Sequence, residues 1–226
     1  MGQGEDGVQV MNGFEDPRDN CAFHIAGFQP VTLSDFPNHT AAIVFTQGCN
    51  FACPFCHNRE LIPVSLRVRR EKNEVSKLAT ENLYRVMELL KKRRGMLDGV
   101  VLSGGEPTLQ PGIRRFAGEV KELGLAIKLD TNGSRPDVID ALLKSGLLDF
   151  IAMDIKGPWS RYEECCGRPG MVREVKKAVD LVATSGLPYY FRTTFFPSLL
   201  SEEDLECIRR QLPKGAKYFV QQGNES

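Results

Sequence analysis

From Phe23 onward the chain repeats one order of signals: a helical pattern, a glycine, then a short apolar run. The runs at 41–46, 99–103, 126–130, 150–154, 189–195 and 217–222 read as buried strands. Thr80 is placed to cap a helix whose Leu83, Val86, Met87 and Leu90 recur at i, i+3, i+4 and i+7, and Gly95 is placed to end it. Further helical patterns fill 113–123, 136–145, 171–185 and 202–211, closed by Gly124, Gly146, Gly186 and Pro213. Such alternation predicts parallel strands joined by right-handed crossovers. Six units are too few for a complete eight-stranded barrel, so the expected class is α/β, a partial (open) parallel barrel of about six βα units.

A chain of 226 residues suits one domain at ~150 residues per domain. That domain is expected over 23–226, behind a leader at 1–22 too poor in apolar surface to offset its ordering entropy. Gly2, Gly4 and Gly7 match a dinucleotide-binding spacing, but no strand precedes them and no helix follows, so the phosphate-cradling geometry is missing. Lys plus Arg and Asp plus Glu are both 29, which gives no global pull toward nucleic acid or anionic lipid. The basic run from Lys91 to Arg94 closes a helix, where cations complement the dipole. No apolar run approaches the ~20 residues that cross a bilayer, and the leader lacks the order of a signal peptide, so no membrane is expected and the location is cytoplasmic. Seven unevenly spaced cysteines fit a reducing compartment, and the sequons at Asn38 and Asn132 are accidental there.

Chemistry should gather where the strands run out. Four polar clusters stand at such points: Thr46-Gln47-Gly48-Cys49, Ser103-Gly104-Gly105-Glu106, Asp130-Thr131-Asn132-Gly133 and Asp154-Ile155-Lys156. The first opens a loop with thiols at Cys49, Cys53 and Cys56, soft ligands suited to zinc or an iron-sulfur cluster. His57 offers a Cys3His zinc site, although it adjoins Cys56 without the usual spacer. Most four-iron clusters take four cysteines, so three ligands leave one iron open for catalysis. Cys21, Cys165, Cys166 and Cys207 are further thiols, but Cys207 falls in a helical pattern and Cys165-Cys166 in a loop, where packing or surface positions explain them better.

The spacing Cys49-x3-Cys53-x2-Cys56 resembles the signature of the radical S-adenosylmethionine (SAM) superfamily, and the resemblance runs from about Phe23 to Gln222. It implies a [4Fe-4S] cluster held by Cys49, Cys53 and Cys56, whose open iron chelates the methionine end of SAM. Phe55 would pack near the adenine. Gly104, Gly105 and Glu106 resemble the family's glycine-glycine-glutamate motif, which receives the methionine ammonium; glycines admit a close ligand and a carboxylate accepts a charge-assisted bond. Asp130 and Asp154 would hold a monovalent cation beside the SAM carboxylate, and Lys156 would contact that carboxylate. Asn132-Gly133 equally fits a turn, and Asp154 with Lys156 a structural ion pair. Arg192 is a weaker candidate for the carboxylate or the substrate. The implied reaction is reductive cleavage of SAM to methionine and a 5'-deoxyadenosyl radical that abstracts hydrogen, with no dedicated general base.

Phe45-Thr46-Gln47-Gly48-Cys49 and Cys56-His57-Asn58-Arg59 resemble activating enzymes of glycyl radical enzymes, in the compact branch tied to anaerobic ribonucleoside-triphosphate reductase. Leu33-Ser34-Asp35-Phe36-Pro37, Gly105-Glu106-Pro107-Thr108-Leu109-Gln110 and Phe191-Arg192-Thr193-Thr194 add to that likeness. It implies a glycyl radical enzyme as protein substrate and a flavodoxin- or ferredoxin-type electron donor. The chain lacks the cysteine-rich insert of the larger activases and stops at Ser226, just past the last strand, where family members commonly continue. The competing readings are a radical SAM catalyst acting on a small molecule, such as a ring-rearranging enzyme of deazapurine biosynthesis, and a zinc-stabilised binding module.

Overall fold

The computed structural model of the chain describes residues 23–56, 59–61 and 72–223. The expected leader at 1–22 and His57 lie outside them. One sheet of seven strands runs in sequence order: β1 (Ile25–Thr32), β2 (Ala41–Thr46), β3 (Gly99–Gly104), β4 (Ala126–Thr131), β5 (Phe150–Asp154), β6 (Tyr189–Phe195) and β7 (Tyr218–Gln222). The six strands expected from sequence are β2 to β7, and all five pairings among them are parallel. Among the described residues β1 and β7 do not pair with each other, so the sheet is a partial barrel, open at one side.

The sequence reading missed β1. It pairs antiparallel with β2, with register shifts between Ile25 and Gly27 and between Gln29 and Thr32. Much of it is exposed, and Pro30 is tolerated because edge strands need not donate on both sides. A bulged, half-polar edge shows neither an apolar run nor strict alternation.

Helices connect the parallel strands: α1 (Lys72–Arg93), α2 (Ile113–Glu122), α3 (Pro136–Lys144), α4 (Tyr162–Cys166), α5 (Val172–Ala183) and α6 (Glu202–Gln211). Helix α1 begins eight residues before Thr80, which therefore sits inside it rather than capping it; lysine, glutamate, leucine and alanine in the added stretch are all good helix formers. Helix α6 starts where expected, with Ser201 and Asp204 forming a reciprocal capping box. Cys165 and Cys166, expected in a loop, belong instead to the short α4 and are both buried.

Alternation along the strands sorts the core into two faces. One face packs Val44, Leu102, Leu129, Ile151, Met153 and Phe191 beneath helical Leu90, Val120, Leu142, Val179 and Ile208. Burial of each such side chain contributes about 1.5–3 kcal/mol, which holds the helices against the sheet. The other face starts in a small cluster of Phe36, Ala41, Ile43 and Val101. Farther along β4, β5 and β6 the same alternation gives Lys128, Asp130, Asp154 and Arg192, four charged groups on one inner wall.

Candidate active site

The parallel strands end together, and a cavity of about 480 Å³ opens at their C-terminal rim. All eleven residues singled out in the sequence line it: Cys49, Cys53, Cys56, Phe55, Gly104, Gly105, Glu106, Asp130, Asp154, Lys156 and Arg192. The fold therefore brings together groups more than 140 positions apart.

The thiol loop leaves the end of β2 and is fixed by backbone bonds. Gly105 N–H donates to the Thr46 carbonyl at 2.9 Å, and Glu106 N–H to the Gly48 carbonyl at 2.8 Å. Gln110 reaches across with its amide, donating to the Gln47 carbonyl at 2.6 Å and accepting from His24 N–H at 2.9 Å. From the other side, the Cys166 carbonyl accepts from Ala52 N–H at 2.9 Å, and Arg168 Nε donates to the Asn50 carbonyl at 3.1 Å. Phe51 is buried beneath the loop, edge-on to Tyr162.

Cys49, Cys53 and Cys56 are free thiols, each partly exposed. Burial pushes Cys49 up to about 11, with the loop amide of Phe51 opposing, and it raises Cys53 as well, against the pull of Lys156. Among the described residues no three Cys, His, Asp or Glu side chains are gathered for a single metal ion. One zinc would need its thiolates about 3.8 Å apart, given tetrahedral Zn–S bonds of ~2.3 Å. Three unpaired soft thiols spread around a cavity instead fit a larger polynuclear centre.

Gly104 and Gly105 are required, but by the protein itself. Gly104 has φ +111°, and a Cβ there would stand 2.4 Å from Thr46 N; one on Gly105 would stand 2.0 Å from the Gly48 carbonyl oxygen. The close approach expected for a ligand is thus made first by the end of β2 at Gly104 and by the thiol loop at Gly105.

Glu106 lies in the cavity wall yet exposes no surface. Its Oε1 accepts from Thr108 N–H at 3.0 Å, from the Thr108 hydroxyl and from the Thr131 hydroxyl at 2.8 Å; its Oε2 accepts from Asn132 N–H at 2.7 Å. Burial raises its pKa, and these bonds oppose the rise. The carboxylate ties the end of β3 to the end of β4. Asn132 completes the brace, with Nδ2 donating to Asn50 Oδ1 at 3.1 Å and standing 3.8 Å from Cys49 Sγ.

Across the cavity lies a mixed-charge cluster. Asp154 Oδ1 accepts from Arg192 Nε at 2.7 Å, and its Oδ2 from Lys156 Nζ at 3.0 Å. Burial alone would raise Asp154; Arg192 and Lys156 overturn that and hold it well below the usual carboxylate range. Asp130 is bonded to Lys128 Nζ, accepts from Ser103 Oγ at 3.4 Å and lies 3.8 Å from Arg192 Nη2. Burial raises Asp130, with Lys128 and then Arg192 pulling it back.

Phe55, 38% exposed at the mouth, stacks on Phe196 with centroids 4.7 Å apart and planes 19° off parallel. Phe196 and Lys128 escaped the sequence reading, which also gave Gln110 no role beyond its place in a stretch of likeness. Lys128 left a signal, a lysine two residues before an aspartate in an otherwise apolar strand.

An open parallel barrel carrying a three-thiol loop, a glycine edge and a charged inner wall at its C-terminal rim defines a class of enzyme that handles a cofactor at that rim. The chain matches the radical SAM superfamily over residues 43–210. It belongs to that superfamily and is a radical SAM enzyme, a membership that implies a [4Fe-4S] cluster and SAM. It is 32% identical over 203 residues to a Methanocaldococcus jannaschii protein named as a candidate glycyl-radical enzyme activating enzyme, covering 88% of this chain and 79% of that one. It is 34% identical over 120 residues to the pyruvate formate-lyase-activating enzyme of Staphylococcus aureus, half of this chain and 45% of the relative. SuiB of Streptococcus suis, in a crystal structure bound to S-adenosylmethionine, shares the fold at TM-score 0.55 and 17% identity, over 80% of this chain and 39% of SuiB. Among the described residues no helix is long and apolar enough to cross a membrane.

Proposed function

We propose that this chain is an activase: it cleaves SAM reductively and abstracts hydrogen from a glycine Cα of a partner glycyl radical enzyme, of the anaerobic ribonucleotide reductase type. The observation that carries this is the convergence of three thiols, a glycine edge and a charged wall on one open cavity, in a chain 32% identical over nearly its whole length to a candidate activase. At about 480 Å³, the cavity falls within the usual range of ligand sites.

Cys49, Cys53 and Cys56 hold the cluster. Loaded and reduced, that cluster would supply the electron for reductive cleavage of SAM, with methionine and, after hydrogen is taken from the glycine, 5'-deoxyadenosine as products. Gly104 and Gly105 shape the methionine subsite by seating the thiol loop, and the Glu106 brace fixes that edge. Lys156 and Arg192 face the ligand carboxylate as cations already oriented by Asp154. Phe55, backed by Phe196, offers a ring to the adenine. The open side of the barrel gives a glycine loop lateral access, and a flavodoxin- or ferredoxin-type protein in the cytosol supplies the electron. Neither nucleic acid nor membrane takes part.

The test is anaerobic. The reconstituted, reduced protein should form 5'-deoxyadenosine from SAM, and a Cys53→Ala variant should not. Mixed with an anaerobic ribonucleotide reductase, it should yield a glycyl radical signal by electron paramagnetic resonance. Deoxyadenosine without any transferable radical would leave the SAM chemistry standing and defeat the activase assignment.

A further inference from the structure

We propose that the ammonium of Lys128 is a built-in counter-ion to Asp130 and occupies the role of the monovalent cation that the resemblance places between Asp130 and Asp154. This rests on the SAM site proposed above and replaces the cation that the resemblance implies there. Lys128 and Asp130 are two apart on β4, so both project from the same side of the strand. Lys128 is 1% exposed, its Nζ is bonded to Asp130 Oδ1, and the ammonium stands 5.5 Å from the centre of the Tyr190 ring, which favours a cation there.

An alkali cation is held by several hard oxygens. All four oxygens of the two aspartates already face a donor of this chain. Asp130 Oδ1 faces Lys128, and Oδ2 faces Ser103 Oγ and Arg192; Asp154 Oδ1 faces Arg192, and Oδ2 faces Lys156. A cation entering here would have to displace an ammonium or a guanidinium that cannot leave its strand, and would meet like charges on doing so.

Charge points the same way. In the cluster across the cavity from Glu106, the two carboxylates Asp130 and Asp154 stand against three cations, Lys128, Lys156 and Arg192, leaving that cluster one net positive charge. That excess balances one ligand carboxylate. A further cation would leave the wall with a surplus that such a ligand does not neutralise. Because the lysine supplies its charge from within the chain, ligand binding should not depend on which salt is present.

The experiment uses the full chain, prepared anaerobically with matched cluster content, at equal ionic strength in potassium chloride, sodium chloride or N-methyl-D-glucamine chloride. Thermal unfolding and SAM binding by equilibrium dialysis are both read. The wild type should unfold at one temperature and bind SAM with one affinity in all three salts. Lys128→Met should become selective, with potassium or sodium raising its unfolding temperature by about 3–10 °C over N-methyl-D-glucamine, the effect of a tenfold to hundredfold excess of cation over its dissociation constant. Lys128→Gln carries the same test should the Met variant not fold. Alkali selectivity in the wild type overturns the proposal. So does a folded variant that ignores the salt, and so does failure of both variants to fold in potassium chloride, because a small cation would then not replace the ammonium. The thermal readout needs no SAM, so loss of SAM binding in every salt would count against the SAM site while the cation result stood.

Discussion

The Cα of Gly105 is packed against the carbonyl of Gly48 so closely that a methyl group there would stand 2.0 Å from the oxygen. Both the atom and its neighbours are backbone, so no side chain can swing aside. Gly105→Ala must push the thiol loop off the edge of β3 and break the bond from Glu106 N–H to the Gly48 carbonyl. The expected cost is about 1–3 kcal/mol of overpacking, together with loss of cluster retention during anaerobic gel filtration. Gly118, inside α2 with open space where its Cβ would be, is the control: Gly118→Ala should stabilise by about 1 kcal/mol from helix propensity alone. Equal unfolding midpoints for the two variants would contradict the packing argument.

Glu106 gathers four donors on two oxygens, so Glu106→Gln turns one acceptor into a donor facing another donor. A loss of about 1–3 kcal/mol is expected at pH 7, the cost of an unsatisfied buried polar group. The pH dependence has a definite sign. Burial raises the native pKa above its ordinary 4.5, so the native state holds this proton more tightly than the unfolded chain does. That contribution is complete below pH 4.5 and is lost as pH rises through the raised value. The stability gap between wild type and Glu106→Gln should therefore be wider at pH 5 than at pH 7 in urea titrations; a gap that widens with rising pH would contradict the assignment.

The parallel strands were legible because each is a short, buried apolar run closed by polar residues, and those closures are where the cavity lies. Its lining could be named for the same reason: Cys49, Glu106, Asp130 and Asp154 each stand at or just beyond a strand end. What could not be read was mostly backbone. Cys166 anchors the thiol loop through its carbonyl, and a carbonyl has no signature in a sequence. Phe196 is one phenylalanine among thirteen until the fold stacks it on Phe55. β1 was hidden by its exposure and bulges. The glycines were noticed for the right reason, a backbone that must come close, but which backbone or ligand approaches is a tertiary fact.

The raised thiols govern the reactivity of the cluster-free protein. Only a thiolate alkylates at an appreciable rate, and Cys49 is pushed up to about 11. In the cluster-free protein, iodoacetamide modification of Cys49, followed by peptide mass spectrometry, should accelerate about tenfold per pH unit from pH 8 to 10. Loading of the cluster should abolish it. A rate that levels off near pH 8 would show that burial does not govern this thiol.

Asp154 holds Arg192 and Lys156 apart as well as in place, since each takes one of its two oxygens. Asp154→Asn leaves two cations side by side without their shared anion. Breaking a fully buried pair costs about 3–5 kcal/mol, and because these side chains remain 22–25% exposed, about 2–3 kcal/mol is expected here. The native pKa lies below the ordinary 3.8, so the stabilisation is present above that value and lost as pH falls toward the native one. The gap in urea midpoint between wild type and Asp154→Asn should thus be full at pH 7 and narrower at pH 3.5. Added salt should partly restore the variant at pH 7, because repulsion between two partly exposed cations is screened over about 8 Å at physiological ionic strength. If the gap instead persists undiminished at pH 3.5 and ignores salt, Asp154 acts through shape and hydrogen bonding rather than charge, and the proposed orienting of Lys156 and Arg192 toward a ligand carboxylate loses its electrostatic basis.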